Sequence, residues 1–428
     1  MAGWNQPSAE GRAPLARHGA LKSRHPFLTL LSMLGVVLGV FGVSAAGIAA
    51  YNVWDAAQAI SANAVVLDGG EPLPPSLGAI EGGVNLLLVG SDSCEGQDVK
   101  LFPRCANDDS PGERNDVTML LHISDEPRRV TVVSFPRDML VPIPSCPEED
   151  GEGDYAALSS QMINASYQYG GLACTVRTVE SLIDEQIDFA AAIRWTGVIN
   201  MSDAIGGVDV CVAGDISDVH TGLNLTAGTH TLQGVEALQF LRIRHGIGDG
   251  SDLGRISNQQ QFMSSMVRKL QSGAVLSNPA TLLNLATTFI SQVQEGQLVL
   301  SSGLTKPALM VQIAMAVKDV PYEDIVFVQY PTVYSNDGRR VLPVKDAAQV
   351  LFDALKANQP LALTGDASQG YGVEVTGEVA QPGATPAPDA TETPLAGETP
   401  AATDTRVELP SGIAGQTAAQ TTCTVPEN

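Results

Sequence analysis

Between Lys100 and Lys269 the chain contains no lysine, yet the same stretch carries eleven arginines. A surface that needed only solubility has no reason to exclude lysine, whose ammonium is a mobile point charge. Guanidinium instead presents a rigid fork of donors that meets phosphate oxygens two at a time. The absence therefore points to a domain that handles a phosphate or pyrophosphate group. Other absences narrow the chemistry. The sequence has no Gly-x-Ser-x-Gly elbow, no Walker loop and no His-Glu-x-x-His motif, which argues against a serine hydrolase, a nucleotide-driven enzyme and a zinc protease. No Cys-x-x-Cys spacing occurs, which argues against a zinc site. Basic residues are scarce overall, 24 against 47 acidic, for a net charge of −23. That balance excludes nucleic acid as a partner of the whole molecule, so the arginines act locally against an acidic background.

Charge is also missing from residues 27–50. As a helix this run is about 36 Å long, enough to cross a hydrocarbon layer of about 30 Å. Arg12, Arg17, Lys22 and Arg24 precede it with no acid after Glu10, and the first charge beyond it is Asp55. The positive-inside rule then predicts a cytoplasmic basic N-terminus at 1–26, a transmembrane signal anchor at 27–50 and an extracytoplasmic remainder, giving a single-pass cell-membrane protein. A cleaved signal peptide is the competing reading, because Ser44, Ala45, Ala46 and Ala49 are small enough for a cleavage site. The apolar core of such peptides is about 7–15 residues, shorter than this one. Both readings put the six cysteines, all beyond the span, where disulfides form. Cys94 with Cys105 would close a short polar loop and is the leading pair, Cys146 with Cys174 the second. Buried free thiols are the alternative, and Cys423 is left without an assignment.

Residues 51–67 read as a weakly amphipathic helix and 68–83, with Pro72, Pro74 and Pro75, as a linker. Short apolar runs rich in β-branched residues predict strands at 84–89, 117–123, 130–135, 189–193, 208–212 and 325–330. Helical patterns occupy 175–183, 198–204, 234–242, 256–270, 279–293, 307–317 and 346–357. The alternation predicts one α/β domain, an α/β/α layered unit with a mixed central sheet over 84–360. Residues 361–428, rich in Thr, Pro and Ala, are expected to be a disordered tail.

Four constellations could carry chemistry. Asp92 follows the first strand, at the carboxyl end where ligands of open α/β sheets bind, although a turn-capping aspartate is the plain alternative. Arg114 and Asp116 precede the next strand and share a face if extended. Together Asp92 and Asp116 would offer magnesium two hard oxygens; a local ion pair at a strand edge is the alternative. Arg137 follows a strand ended by Pro136, with Asp138 as its expected partner. Arg242 and Arg244 end a helix, a glycine-rich stretch follows, and Arg255 and Gln259 then share one face near the next helix start. There the backbone favours an anion, and Asp252 is the expected N-cap. Pairing of these arginines with Asp249 or Asp252 is the structural alternative. His245 reads as a supporting residue, and the acidic run 148–154 as a solvated loop.

The segments NLLLVGSDS, RNDVTMLLHIS, VVSFPRD, INASYQYGG, DAIGGVDV, LQGVEALQFLRIRH and DLGRISNQQQF occur in this order between residues 84 and 270. In that order they resemble the LytR-CpsA-Psr family of envelope proteins. The resemblance implies an α/β/α domain that binds a polyprenyl-phosphate lipid in an apolar cavity. It further implies a magnesium-dependent transfer of a glycopolymer from a polyprenyl-pyrophosphate carrier to peptidoglycan. Matched position by position, Asp92 and Asp116 correspond to the family's metal-associated aspartates, and Arg114, Arg137, Arg242, Arg244, Arg255 and Gln259 to its pyrophosphate contacts. Asp92, Asp116, Arg114, Arg242 and Arg244 are the expected catalytic set. The chain departs from the pattern at Cys94, where the family often has arginine, and in the insertion that runs to Cys105. A polyprenyl-pyrophosphate hydrolase and a non-catalytic lipid-binding or regulatory envelope protein are the alternative functions.

Overall fold

The computed structural model describes residues 31, 33, 35, 61, 64–67, 83–106, 113–148, 153–273, 275, 278–381 and 406–427. The chain divides into two compact units, Met1–Asp55 and Ala56–Asn428, and the sheets and the helices packed on them lie in the second. The anchor expected at 27–50 lies outside the described residues apart from three positions, and among the described residues no helix is long and apolar enough to cross a membrane. The helix expected over 51–67 is not helical at its end, because Val65 forms an isolated parallel bridge with Ser301.

Eleven strands build the two main sheets: β1 Val84–Ser91, β2 Asn115–Ile123, β3 Val130–Phe135, β4 Phe189–Ile193, β5 Val208–Val212, β6 Gly228–Leu232, β7 Leu298–Leu300, β8 Ile325–Gln329, β9 Val373–Glu378, β10 Gly415–Thr417 and β11 Gln420–Thr424. The central sheet runs β7-β4-β1-β2-β3-β8-β10. It is mixed: β1 pairs parallel with β4 and antiparallel with β2, and β8 pairs parallel with β3. Alternate residues face opposite layers, as strand geometry requires. Leu87 and Val89 join one core with Val176, Val179, Leu351 and Phe352, whereas Leu86 and Met119 join the other with Val293 and Leu309. The helices supplying those residues are α1 Gly171–Ile183, α5 Pro279–Gln294, α6 Pro307–Lys318 and α7 Lys345–Lys356. Between α1 and α5 in sequence lie α2 Trp195–Ala204, α3 Gly234–Arg242 and α4 Asp252–Gln271. The layered α/β/α domain with a mixed sheet is therefore present.

A second sheet, β6-β5-β11-β9, was not foreseen. It corrects the expectation of a disordered tail over 361–428. Residues 361–378 and 406–427 carry strands, β10 extends the central sheet and β11 lies between β5 and β9, while 382–405 fall outside the described residues. Cys423, opposite Cys211 in the β5–β11 pair, forms a disulfide with it. The pairs Cys94–Cys105 and Cys146–Cys174 form as anticipated. The domain thus continues well past residue 360.

Helix α4 joins the two sheets by an unusual device. Ser257, Asn258, Gln259, Gln260, Gln261 and Ser264 are all buried in it, and buried polar groups need partners. Asn258 Nδ2 donates to Phe240 O and Gln259 Nε2 to Leu241 O, both at 2.8 Å, so α4 clips the end of α3. Gln261 Nε2 donates to Cys211 O at 2.8 Å and Thr422 O at 2.5 Å, while Thr424 Oγ1 donates to Asn258 Oδ1. The carboxamides thereby fix α3, α4 and the C-terminal strand as one body.

Candidate active site

A cavity of about 440 Å³ opens between the central sheet and helices α2, α3 and α4. Leu88, Val117, Met119, Ile193, Phe262 and Met263 are among the side chains that make its wall apolar, and Asp116, Arg242, Arg255 and Gln259 also line it. A cavity of this size and character, with a few convergent polar groups, is the form small-molecule sites take.

Asp116 reaches the cavity through a defect in the sheet. Gly90 faces Val117 and Ser91 faces Asn115, so Asp116 is the extra residue of a β-bulge, a device that re-aims a side chain. The alternation expected to set Arg114 and Asp116 on one face is interrupted there: Asp116 lines the cavity and Arg114 does not. Asp92 lies beside this bulge, its amide donating to Arg114 O at 3.0 Å and its Oδ1 accepting from Arg114 N at 2.8 Å. The two acids therefore stand at the same end of neighbouring strands. Among the described residues, Arg114 Nε is buried without a hydrogen-bond partner.

Four charged groups interlock behind the cavity. Arg137 Nη1 donates to Asp116 Oδ1 at 2.7 Å and its Nε lies 3.2 Å from Asp252 Oδ1. Arg255 Nη2 lies 2.7 Å from the same Asp252 oxygen and donates to Asp116 O at 2.9 Å. Two expectations are corrected here. Asp138 is not the partner of Arg137; it faces Arg340 at 3.7 Å, because Arg137 turns inward to half-buried Asp116 and buried Asp252. Asp252 is not the N-cap of α4; Ser251 is, its hydroxyl accepting from Gly254 N, and Asp252 in the first turn is left to bridge the arginines.

The electrostatics follow from this packing. Burial alone would raise the Asp116 carboxyl, but Arg255 and Arg137 beside it outweigh burial and hold it below its usual range. Burial would weaken the Arg137 cation, and Asp252 with Asp116 more than restores it. For Arg255, 4% exposed, burial prevails over Asp252 and lowers its pKa. Two acids and two arginines balance in this cluster, and Arg242 adds a further cation to the cavity wall.

Arg242, at the end of α3, places its guanidinium over the Trp195 ring, 4.3 Å from the centroid. Arg244 leaves the helix, its amide donating to Asp218 at 3.5 Å and its Nη2 lying 3.4 Å from His245 Nε2. His245 packs against His220, with ring centroids 4.5 Å apart. The chain turns sharply at Gly246, where φ is +85° and a Cβ would lie 2.4 Å from Ser217 O. The C-terminus then straps the loop: Gly246 N donates to Glu427 and Gly248 N to Val425 O. Of the predicted residues, Asp116, Arg242, Arg255 and Gln259 meet at the cavity, Arg137 stands behind Asp116, Asp92 and Arg114 flank the bulge, and Arg244 borders the loop.

Not every arginine serves the site. Arg194 is held by Glu95 at 2.6 Å and Glu113 at 3.1 Å, and Glu113 also accepts from Ser91 and Ser93. Arg129 binds Asn358 O and Arg268 binds Ala418 O and Gln420 O. Sequence reasoning missed Trp195 as a platform and Glu113, and offered Asp252 only as the alternative partner of the arginines, which it is for Arg255. Only Asp252 carried a usable signal, its i,i+3 spacing to Arg255. Among the described residues, no group of three or more His, Cys, Asp or Glu side chains forms a metal cluster.

Residues 55–351 match the LytR_cpsA_psr family model, and the chain belongs to that family. It is 28% identical to the cell wall biosynthesis protein LcpA of Corynebacterium glutamicum, over 64% of this chain and 55% of the relative. The probable cell wall biosynthesis protein LcpB of the same organism is 32% identical over 60% of this chain and 55% of the relative. A polyisoprenyl-teichoic acid–peptidoglycan teichoic acid transferase, TagU of Bacillus cereus, is 29% identical over 54% of this chain and 69% of the relative. The matched part of the chain thus spans about half the length of the first two relatives.

Proposed function

We propose that this protein is a phosphotransferase that moves a glycopolymer from a polyprenyl-pyrophosphate carrier to peptidoglycan, outside the cytoplasmic membrane to which residues 27–50 anchor it. The observation that carries the reading is an apolar cavity lined at once by Asp116, Arg242 and Arg255. An isoprenoid chain matches the wall and a diphosphate matches the cations. The name of the TagU relative, a transferase of polyisoprenyl-linked teichoic acid to peptidoglycan, supports the same substrate classes.

The donor set fits magnesium: Asp92 and Asp116 are hard oxygen donors at one sheet end, the type this ion takes together with phosphate oxygens and water. When bound, it would neutralise charge on the diphosphate. The chain's own groups do the rest. Arg242 and Arg255, which line the cavity, hold the non-bridging oxygens, and Arg114, Arg137 and Arg244 around them add to the field that stabilises charge as the bond to the lipid-side phosphate breaks. Gln259 donates to Leu241 O and keeps Arg242 aligned. A sugar hydroxyl of peptidoglycan attacks the sugar-side phosphorus, and polyprenyl phosphate leaves. An aspartate, Asp92 or Asp116, takes up the hydroxyl proton. The pyrophosphate bond is already activated, and the reaction needs no nucleotide.

The test is transfer by the purified full-length chain from a lipid-linked donor to peptidoglycan. Arg242→Ala should abolish it while the unfolding midpoint stays within a few degrees, because the residue stabilises charge rather than core packing. Unchanged turnover in that variant rejects the assignment, and product release without peptidoglycan makes the protein a hydrolase instead.

A further inference from the structure

The loop closed by Cys94 and Cys105 grips the start of α2 in two places. Gln97, buried within it, accepts from the Thr196 amide at 3.1 Å and from the Thr196 hydroxyl at 2.7 Å, and donates to Gln297 at 2.7 Å. Arg194, at the N-cap position of α2, makes no side-chain capping bond, so an amide 99 residues distant in sequence satisfies that helix start. Phe102 lies against Trp195 with ring centroids 4.6 Å apart, and both rings are buried with Ile199 and Leu238. Trp195 carries the Arg242 guanidinium at 4.3 Å. Leu238 stands one turn before Arg242 on α3, on the same face. An unbroken series of contacts therefore runs from the disulfide loop to the arginine that lines the cavity.

We infer that Trp195 is a positioning residue for Arg242, and that the Cys94–Cys105 loop holds it in place through Phe102 and Gln97. The inference rests on the reading of Arg242 as a pyrophosphate ligand. A guanidinium over a desolvated indole is held by the ring's negative face, and its plane is set before the ligand arrives. A long side chain ordered in advance loses less freedom on binding. A wall residue that only filled space would need no aromatic face, and a leucine of similar apolarity would replace it without effect. The disulfide does for Phe102 what the indole does for Arg242. It keeps the loop, whose Val99 and Leu101 stay exposed while Phe102 is buried, docked on the helix.

Calorimetric titration of the full-length chain with inorganic pyrophosphate distinguishes these roles. Trp195→Leu should weaken binding about tenfold, equivalent to about 1.4 kcal/mol, whereas Trp195→Phe, which keeps an aromatic face, should stay within about threefold. Phe102→Leu and the double variant Cys94→Ser/Cys105→Ser should weaken it about three- to tenfold. In a Trp4→Phe/Trp54→Phe background Trp195 is the single remaining tryptophan of three. Its emission should shift as pyrophosphate binds, and should not shift when Arg242→Ala is added. Wild-type affinity in Trp195→Leu together with lost affinity in Arg242→Ala overturns the positioning role and leaves the site reading intact. Wild-type affinity in Arg242→Ala overturns the site reading itself, and this inference with it.

Discussion

Asp252 bridges two guanidiniums from different elements, 2.7 Å from Arg255 and 3.2 Å from Arg137, with its side chain 8% exposed. Asp252→Asn keeps the shape and removes one negative charge from a group in which Asp116 and Asp252 oppose Arg137 and Arg255. Breaking a buried pair by removing one partner costs about 3–5 kcal/mol. Asp116 remains to face both arginines, which puts the expected loss at the low end, about 3 kcal/mol. In a domain of this size that lowers the unfolding midpoint by about 5 °C. Linkage supplies the sharper half of the prediction. A ligand that binds only the folded state stabilises it in proportion to the logarithm of its concentration over Kd. Without Asp252 competing for the arginines, pyrophosphate should bind about tenfold more tightly and return about 1.4 kcal/mol more stability than it gives the wild type. Scanning calorimetry of both proteins, with and without saturating pyrophosphate, reads both effects. Equal midpoints, or a variant that gains no more from pyrophosphate than the wild type does, would refute the reading of Asp252 as a bridge that competes with pyrophosphate for these arginines.

Three other perturbations probe the scaffold. Burial pushes the His122 imidazole down to about 4 from 6.5; because the unfolded chain takes up the proton first, stability is full above pH 6.5, falls between 6.5 and 4, and levels below. The loss is about 3 kcal/mol, and denaturant titrations at pH 7.5 and 4.5 should show it in the wild type and not in His122→Gln. Removing the Cys211–Cys423 disulfide by paired serine substitutions should cost about 2–5 kcal/mol and speed amide exchange in Gln420–Thr424; unchanged exchange would show that β11 is held without it. Asn258→Leu leaves Phe240 O without its carboxamide donor, while Thr424 Oγ1 keeps Gln261 Oε1, at a cost of about 1–3 kcal/mol. Because Phe240 sits two residues before Arg242, transfer should fall as well, and full activity in a folded variant would contradict the clipping role.

Much of this molecule was legible in its residues, for identifiable reasons. Strands such as Val130–Phe135 and Phe189–Ile193 are runs of apolar residues buried between two layers, a pattern that composition alone displays. Arginine preference and the family motifs together marked Asp116, Arg242, Arg255 and Gln259, which do line one cavity. What stayed hidden depends on contacts distant in sequence. Gly415–Thr417 and Gln420–Thr424 are short and made largely of Gln, Thr and Gly, and they follow a long low-complexity stretch. Only the neighbours that accept their backbone hydrogen bonds make them strands. Cys423 finds Cys211 across 212 residues, a separation no spacing rule reaches. The inward turn of Arg137 and the bulge at Asp116 likewise depend on which groups the fold buries beside them.

On this reading the cavity holds an isoprenoid with its phosphate or diphosphate against Arg242 and Arg255. Mass analysis of lipid extracted from the full-length chain, purified from membranes in mild detergent, tests it most directly. Polyprenyl phosphate or pyrophosphate should accompany the wild-type protein at near-stoichiometric amounts and be largely lost from the Arg242→Ala/Arg255→Ala variant. An absence of isoprenoid from the wild type, or equal amounts in both proteins, would contradict the account.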